Sequence, residues 1–576
     1  MAAKDSRTEP YQLSFIHSGS VHMASPTMFS KMLKSDEGLF RTYIYPLIPF
    51  DLVKLLYSDK DNVRPASYAI HHVAAAIFVR LTKLTEEKFL EQLPWNQKYQ
   101  YAIGIDAWSD DIPFGEKTFT NLRRRIENYN RDHEGEDIWE KITHTIDIEI
   151  AKKLNLFEGY NDQYKYGLRL DTLMISMQAA RRPRLDIIYS TMKIVIEELL
   201  SKDIVLPGVL KHFMDSDDYR KTVYFKGLQD EYLKEGLPLP ENPDEKMTTT
   251  QRKEAISDHR IAKLVSELDT LLKLCISADI CDSCNFKLLE RMISEQTDIT
   301  DGKRVPKHKK EIKSNSMQTP YEPEATYRYK AGTGYHGYSG FIVDVFNTKG
   351  DGVIIHRQLE QNIHSDQAFM REFQENHDSI LDLKDDEKAF VSTDAGFFSV
   401  ELNNKSKSLH WDMYCAGVHG TTPSPIFADF KYNEDRTAIV ECPAGHRNFT
   451  VSMIGDNAYR LRFRDKCCET CVNRDECGAT ITGRSENAGS SYVTVSDAKI
   501  SAALCVQMRE GQAGPNVIEY LNMRNAIEGI NSVFRRKYNI DNRHIAGIKY
   551  ARYDFYSSIT CYNICKYFKH IRREFK

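Results

Sequence analysis

The chain has no long apolar run. In 576 residues nothing approaches the 18 consecutive apolar residues of a membrane-spanning helix, and the longest near-run, VAAAIFV, is seven residues long. Cysteine is also scarce, with 12 residues, so reduced thiols or metal ligands are expected rather than a disulfide scaffold. The first twenty residues are polar and charged, so no secretory signal is expected. Internal repeats are absent.

Neither sign of charge is in excess. Lys and Arg total 78 and Asp and Glu total 82, which gives a net charge of −4. This balance excludes a uniformly basic coat for nucleic acid, although local basic patches remain compatible with it. With 41% hydrophobic and 28% charged residues, the chain is expected to form several folded units with large cores.

Hydrophobic periodicity divides the chain into helical and strand-rich stretches. Helix, strand, helical insertion, strands and helices follow one another, and this order predicts an α/β core. The predicted units are a flexible arm (1–38), an all-α domain (39–156), a first strand segment (157–181), a helical insertion ending in a basic linker (182–325), a second strand segment (326–414), a Cys-rich insertion (415–500) and C-terminal helices (501–576).

Three acidic residues occupy positions that could carry chemistry. Asp171 lies inside an apolar strand, where a carboxylate needs a cation, hydrogen bonds or a metal. Asp394 directly follows a short apolar strand, so its carboxylate is expected at the open edge of a sheet. Glu528 follows Arg524 by four residues in a predicted helix, so both project from one face. Each could be an ordinary structural acid, but together they could hold two divalent metals, for which Mg²⁺ or Mn²⁺ suits oxygen ligands.

The segments around these acids resemble the DDE transposases of bacterial insertion sequences. The resemblance rests on RLDTLMISM, ARRPRLDIIYSTM, EATYRYKAGTGYHGYSGFIVDV, VSTDAGF and RNAIEG in this order, and covers about residues 39–575. It implies an RNase H-like mixed sheet flanked by helices, preceded by helices that bind DNA. It also implies that Asp171, Asp394 and Glu528 form a metal-binding catalytic triad, with Arg524 neutralising phosphate charge.

The helix around Glu528 departs from the pattern Tyr-x2-Arg-x3-Glu-x6-Lys that related enzymes often show. Arg524 fits, but Tyr520 stands one residue too early and Arg535 replaces the lysine. An arginine can still bind a phosphate, in a bidentate manner. Glu519 is the rival acid, predicted on the opposite side of the same helix.

The resemblance implies metal-dependent hydrolysis of a phosphodiester at a transposon end, followed by strand transfer into target DNA. It further implies a homodimer that brings two terminal inverted repeats together, located in the bacterial cytoplasm near the nucleoid. A DNA-binding regulator derived from a transposase, and a metal-dependent nuclease without strand transfer, are the alternatives.

A cysteine cluster predicts a second metal site. Four thiols, two of which are separated by only two residues, can form a tetrahedral, structural Zn²⁺ site. His446 and Cys467 are alternative ligands, and free thiols in a turn-rich segment are the competing interpretation. The expected ligands are Cys442, Cys468, Cys471 and Cys477.

Basic residues concentrate near the C-terminus, where residues 524–576 hold twelve Lys and Arg against four Asp and Glu. Such a patch predicts contacts with the DNA backbone. Three consecutive arginines at 123–125 add a weaker candidate, because they cannot all face one partner on a helix. The predicted DNA contacts are Arg123, Arg124, Arg535, Arg536, Lys537, Arg543, Lys549 and Arg552.

Overall fold

The computed structural model describes residues 26–57, 68–105, 112–179, 182–214, 248–330, 332–416, 422–433, 438–454, 458–464, 466–482, 490–511, 515–543 and 545–574. Residues 1–25 of the predicted arm lie outside this set. The rest of that arm was predicted wrongly, because most of residues 26–38 is helical.

Helices make up the described chain up to residue 153, as the periodicity predicts. Thr85, Asn96 and Asp137 each accept a backbone N–H bond at the start of the helix that follows them. The Ala-rich segment at 69–82 is almost fully buried along most of its length. The helices are α1 (Pro26–Leu33), α2 (Asp36–Leu39), α3 (Phe50–Val53), α4 (Ala69–Thr82), α5 (Glu86–Gln92), α6 (Gln97–Ile103), α7 (Thr118–Asp132) and α8 (Ile138–Lys153).

A buried strand and a helical insertion follow. The described part of 182–294 contains no strand, as predicted, and its helices pack around a core of their own. A short hairpin comes next, and its second strand lies in the predicted linker. The elements are β1 (Gly167–Ser176), α9 (Arg184–Ser201), α10 (Thr249–Ser277), α11 (Cys284–Gln296), β2 (Thr297–Thr300) and β3 (Lys303–Pro306).

The linker at 302–325 is a packed segment, which corrects its prediction from composition. Met317 and Glu322 are fully buried within it. The Glu322 carboxylate accepts the backbone N–H groups of Gln178 and Ala179, at 2.7 and 2.9 Å, and the hydroxyl of Tyr338. This carboxylate therefore ties the chain after β1 to the neighbouring strand.

The main sheet is mixed and has six strands. The sequence predicts one strand over TYRYKAGTGYHGYSGFIVDVFN (326–347), but this segment forms two strands. The later strand pairs with the earlier one through residues 333–337 and with the strand at 352–361 through residues 338–346. The segment SDQAFMREFQENHDSIL predicts a helix with Ser365 as its N-cap, and Ser365 does cap the observed helix. The elements are β4 (Thr326–Lys330), β5 (Thr333–Phe346), β6 (Gly352–Gln361), α12 (Asp366–Asn376), β7 (Ala389–Asp394), α13 (Val400–Ser408) and β8 (Trp411–Ala416).

Strand directions differ between the two halves of this sheet. β1 pairs antiparallel with β5, and β5 pairs antiparallel with β6. On its other edge β1 pairs parallel with β7, and β7 pairs parallel with β8. The chain therefore has a mixed α/β fold, with the α/β core that the order of elements predicts.

A second, smaller sheet belongs to the Cys-rich module, which we define as the described residues between 422 and 511. Its strand order is β11-β12-β14-β13, and one face packs against the last helix of the module and a short turn at 425–429. The predicted boundary at residue 500 is thus about ten residues early. The elements are β9 (Lys431–Tyr432), β10 (Ile439–Glu441), β11 (Phe449–Met453), β12 (Ala458–Phe463), α14 (Arg474–Cys477), β13 (Thr480–Thr482), β14 (Ser490–Ser496) and α15 (Asp497–Gly511).

The C-terminal region holds α16 (Pro515–Asn522), α17 (Asn525–Lys537) and α18 (Ile548–Glu574). The sequence predicts a single helix over the first two, but the chain breaks at residues 523–524. Within the described residues, no helix combines the length and apolar character needed to cross a membrane.

The N-terminal helices and the main sheet share one hydrophobic core. This core runs from Leu39 to Ile571, and α18 packs against α4, α8 and β6. The indole N–H of Trp139 on α8 donates to the Ser557 hydroxyl on α18 at 3.0 Å. The predicted all-α domain is therefore continuous with the α/β core rather than separated from it.

Candidate functional site

Two neighbouring strands place Asp171 and Asp394 side by side. The parallel pairing of β1 and β7 ends at Arg169 and Ser392, and Asp171 and Asp394 each lie two residues further along their strands. Their carboxylates are close enough for the charge of Asp394 to raise the pKa of Asp171. Two acids separated by 223 residues in the sequence (394 − 171) are therefore neighbours in the fold.

Arg524 links Asp394 to Glu528. Its guanidinium lies 3.3 Å from the Asp394 carboxylate through Nη2 and 3.5 Å from the Glu528 carboxylate through Nη1. The Asp394 side chain is 14% exposed, whereas that of Glu528 is 63% exposed. The three predicted acids and Arg524 are thus brought together, with a protein cation between two of the carboxylates.

Asp171 is a buried acid with two hydrogen-bond donors. Its Oδ2 accepts a hydrogen bond from Asn531 Nδ2 at 2.8 Å, and its Oδ1 accepts the Thr172 N–H at 2.9 Å. Burial raises the pKa of Asp171 to about 6, and the nearby Arg524 opposes this rise. The Asp394 carboxylate raises the pKa further, which shows that the two like charges repel one another. A divalent cation would relieve this repulsion.

Two polar residues of the site were missed from the sequence. Asn531 follows Glu528 by three residues on α17, so its helical spacing was the available signal. Asp366 begins α12 and accepts a hydrogen bond from the Thr172 hydroxyl at 3.0 Å. A Cβ on Gly396 would lie 2.8 Å from Asp366 Oδ2, so this carboxylate is packed directly against the turn after Asp394. No local pattern distinguishes Asp366 from any other acid in a first helical turn.

A cleft of about 500 Å³ adjoins the acids. Glu528 and Asn531 lie on one wall, and Lys330, Arg535 and Arg536 bring three cations to it. Both arginines are exposed. A cleft with acids at one end and several cations along its wall suits a ligand that carries phosphates.

The departures from the usual pattern around Glu528 have structural explanations. Tyr520 lies buried in an aromatic cluster, and its hydroxyl accepts a hydrogen bond from Asn161 Nδ2 at 2.9 Å. Its role is therefore in packing. Glu519 is exposed on α16, before the break at 523–524, so it does not share a helix with Glu528 as the sequence suggested.

Some predicted DNA contacts are part of the interior. The Arg543 side chain is 2% exposed and lies 3.2 Å from the fully buried Glu322 carboxylate. Arg123 forms an ion pair with Glu86 and is 13% exposed. A buried guanidinium does not reach a DNA backbone, so the prediction that Arg543 contacts DNA is wrong, and Arg543 instead forms a structural ion pair. The ion pair of Arg123 with Glu86 also argues against the predicted DNA contact of Arg123.

The remaining predicted contacts differ in their surroundings. Lys537 donates to the Cys565 thiol at 3.0 Å. Lys549 lies 3.0 Å from Glu127 and stays 67% exposed, and Arg552 lies 2.9 Å from Glu360. Arg124 is exposed on α7. Of the predicted set, Arg535 and Arg536 are the two beside the acids.

The four predicted zinc ligands line one small cavity of about 20 Å³ in the Cys-rich module, together with His446. Burial raises the pKa of Cys477 to about 12, and the nearby thiols of Cys471, Cys442 and Cys468 raise it further. Segments separated by about 25 residues thus bring four thiols together, in a cavity about the size of one water molecule.

In this structure neither the three candidate carboxylates nor the four candidate thiols are arranged as a complete set of metal ligands. Among the described residues, no group of three or more His, Cys, Asp or Glu side chains is arranged to hold a metal ion.

Comparisons of this chain with protein-family models, with curated proteins and with solved structures find no match.

Proposed function

We propose that this chain is a DDE transposase that hydrolyses a phosphodiester at the end of an insertion sequence and joins the resulting 3′-OH to target DNA. The observation that carries this proposal is that Arg524 contacts both Asp394 and Glu528, while Asp171 lies close enough to Asp394 and Arg524 for their charges to shift its pKa. An RNase H-like fold is part of the proposal. The mixed sheet supports it, with an antiparallel half from β6 to β1 and a parallel half from β1 to β8.

The donor set fits Mg²⁺ or Mn²⁺, because all three candidate ligands are carboxylates and two of them repel one another. Asp171, Asp394 and Glu528 would hold the ions. When bound, the ions supply positive charge for the phosphate oxygens during the displacement. Arg524 now supplies positive charge to Asp394 and Glu528, so it must release Asp394 for that carboxylate to act as a ligand.

The residues of the cleft have a role of their own in this proposal. Lys330, Arg535 and Arg536 would bind phosphates of the DNA strand and so orient the reactive phosphorus above the acids. In the first reaction a water oxygen bonds to phosphorus, the bond to the 3′ oxygen breaks, and that oxygen takes up a proton. In the second reaction the freed 3′ oxygen bonds to a target phosphorus, the bond from that phosphorus to the 3′ oxygen of the target strand breaks, and the proton of the attacking hydroxyl ends on the displaced oxygen.

Substitution of single acids tests the proposal. The substrate is a duplex carrying the inverted repeats that flank the gene, incubated with the full chain and Mg²⁺. Glu528→Gln should lower strand cleavage at least about 10²-fold, since it removes a group that acts on transition-state charge. Glu519→Gln is the matched control and should leave cleavage unchanged. Equal loss in both variants, or cleavage retained in Asp171→Ala, contradicts the assignment.

Pre-cleaved ends with a free 3′-OH separate the three candidate functions. A transposase joins such an end to a target plasmid. A metal-dependent nuclease cuts intact ends but does not join them. A regulator derived from a transposase binds the ends and does neither.

We also propose a structural Zn²⁺ held by Cys442, Cys468, Cys471 and Cys477. Support comes from the single cavity that these thiols line and from the pKa values of Cys442 and Cys477, which burial and the neighbouring thiols raise. Such a site has a structural role, because four protein ligands leave no position for a substrate.

Metal analysis of the purified chain tests this second proposal. We expect close to one equivalent of zinc, and its loss in Cys471→Ser. Cys284→Ser removes an exposed thiol on α11 and should keep the zinc. Cys467→Ser and His446→Ala test the alternative ligands, and zinc lost only in these two variants would replace the proposed set.

A further inference from the structure

The small sheet of the Cys-rich module presents one open face that the catalytic proposal does not use. Along β12 the side chains alternate, so Leu461 and Phe463 are buried while Arg462 is exposed. The neighbouring strand alternates in the same way, with Val493 and Val495 buried. One face therefore supplies the core of the module, and the other faces solvent.

The open face is basic and rich in hydroxyl groups. Arg460, Arg462 and Arg464 follow one another at every second residue, which spaces them by roughly 7 Å along the strand. The register aligns Thr450 and Thr494 with this row, on the strands at either side. The strands of this sheet contain no Asp or Glu, so no acidic side chain within them offsets the three positive charges.

Arg460, the first arginine of the row, is packed against an aromatic ring. The guanidinium of Arg460 lies 4.7 Å from the ring centroid of Tyr492, across the strand pair. Its Nε is buried, so this atom does not face an arriving ligand. Stacking against the Tyr492 ring restricts the Arg460 guanidinium, so less side-chain entropy is lost when the row binds a partner.

We propose that this face, comprising Arg460, Arg462, Arg464 and Tyr492, binds the phosphate backbone of duplex DNA. Charge complementarity identifies the partner, because a row of arginines flanked by hydroxyl groups matches a row of phosphates. The row covers roughly 13 Å, along which one strand of B-DNA presents about four phosphates. Backbone contacts of this kind add affinity and orientation without reading the base sequence.

This inference rests on the proposed function for its partner, but it concerns DNA binding alone. The test uses the full chain with Arg462→Gln and Arg464→Gln together, two exposed positions whose change leaves the buried face intact. The matched control is Lys405→Gln with Lys407→Gln, which removes the same charge from exposed positions on α13. The probe is a fluorescein-labelled 40-base-pair duplex of random sequence, followed by anisotropy between about 50 and 300 mM salt.

We expect the arginine variant to bind about 10- to 60-fold more weakly at about 0.1 M salt. The slope of log Kd against log salt should fall by about 1.8, which is about 0.9 for each phosphate that the variant no longer neutralises. The lysine control should match the wild type in affinity and slope. Unchanged circular dichroism and zinc content would exclude unfolding as the cause.

The possible outcomes separate this inference from the proposed catalysis. Wild-type cleavage together with equal binding by the arginine variant overturns the inference and leaves the proposed function standing. Weaker binding by the variant in a chain that never cleaves DNA supports the inference and contradicts the catalysis. A wild-type chain that binds no duplex overturns both, and binding of RNA alone overturns the assigned partner.

Discussion

Replacing Asp171 by Asn should make the metal-free protein more stable while abolishing cleavage. The Asp171 carboxylate is buried, and burial raises its pKa from 3.8 to about 6. At 1.36 kcal/mol for each pKa unit, the ionised carboxylate costs the folded state about 3 kcal/mol at neutral pH. An isosteric amide avoids the charge but must itself be buried, so we expect a gain of about 1–3 kcal/mol.

The gain should depend on pH in a defined direction. Below pH 3.8 the carboxyl is protonated in both the folded and the unfolded chain, and it carries no penalty. Between pH 3.8 and about 6 the folded state binds the proton more tightly, so the stability of the wild type falls as pH rises. The difference between variant and wild type should be small near pH 4 and reach its full size above about pH 6.5.

Urea unfolding in EDTA, followed by tryptophan fluorescence, measures this difference. Trp139 and Trp411 are both buried in the shared core, so they report on the region that contains the site. Asp132→Asn, at an exposed position on α7, is the control and should show no such gain. A variant midpoint at or below that of the wild type at pH 7.5 refutes the reasoning, as does a gain that persists at pH 4. Added Mg²⁺ should stabilise the wild type more than the variant.

Further predictions concern burial and close approach. Arg543→Met should destabilise the chain by about 3–5 kcal/mol, because Glu322 would stay buried without its cation. Arg536→Met, at an exposed position, should cost less than about 0.5 kcal/mol. Equal urea midpoints for the two variants would exclude a structural role for the Arg543–Glu322 pair. Gly396→Ala should lower stability by about 1–3 kcal/mol and impair cleavage, since its Cβ would meet a carboxylate at 2.8 Å. Gly529→Ala, whose Cβ meets no atom within 4 Å, should instead raise stability by up to about 1 kcal/mol in the same assay.

Prediction from the sequence worked where the signal is local. The cap at Ser365, the strand that ends at Asp394 and the long helix α18 were all expected, because caps and periodicity depend on residues only a few positions apart. The same local reasoning failed at 302–325, where basic composition suggested a linker. Long-range contacts of Glu322 hold that segment in the interior, and composition does not register such contacts.

The functional residues divide in the same way. The sequence identified Asp171, Asp394 and Glu528 as candidates from their places in strand and helix patterns. It did not reveal that Arg524 bridges two of them, or that Asp366 packs beside the turn at Gly396. The Arg524 contact with Asp394 joins residues 130 positions apart, and Asp366 and Gly396 lie on separate elements, so these contacts follow from tertiary packing.

Sequence pattern alone was enough to predict the α/β class, the strands that carry Asp171 and Asp394, and the grouping of four cysteines within 36 residues. Which charges are exposed depends on tertiary packing. Packing buries Arg543 against Glu322, leaves Arg535 and Arg536 at the cleft, and brings Asp171 near Asp394. The physical reason is that periodicity is a property of neighbours in the chain, whereas burial and charge pairing depend on which distant surfaces pack together.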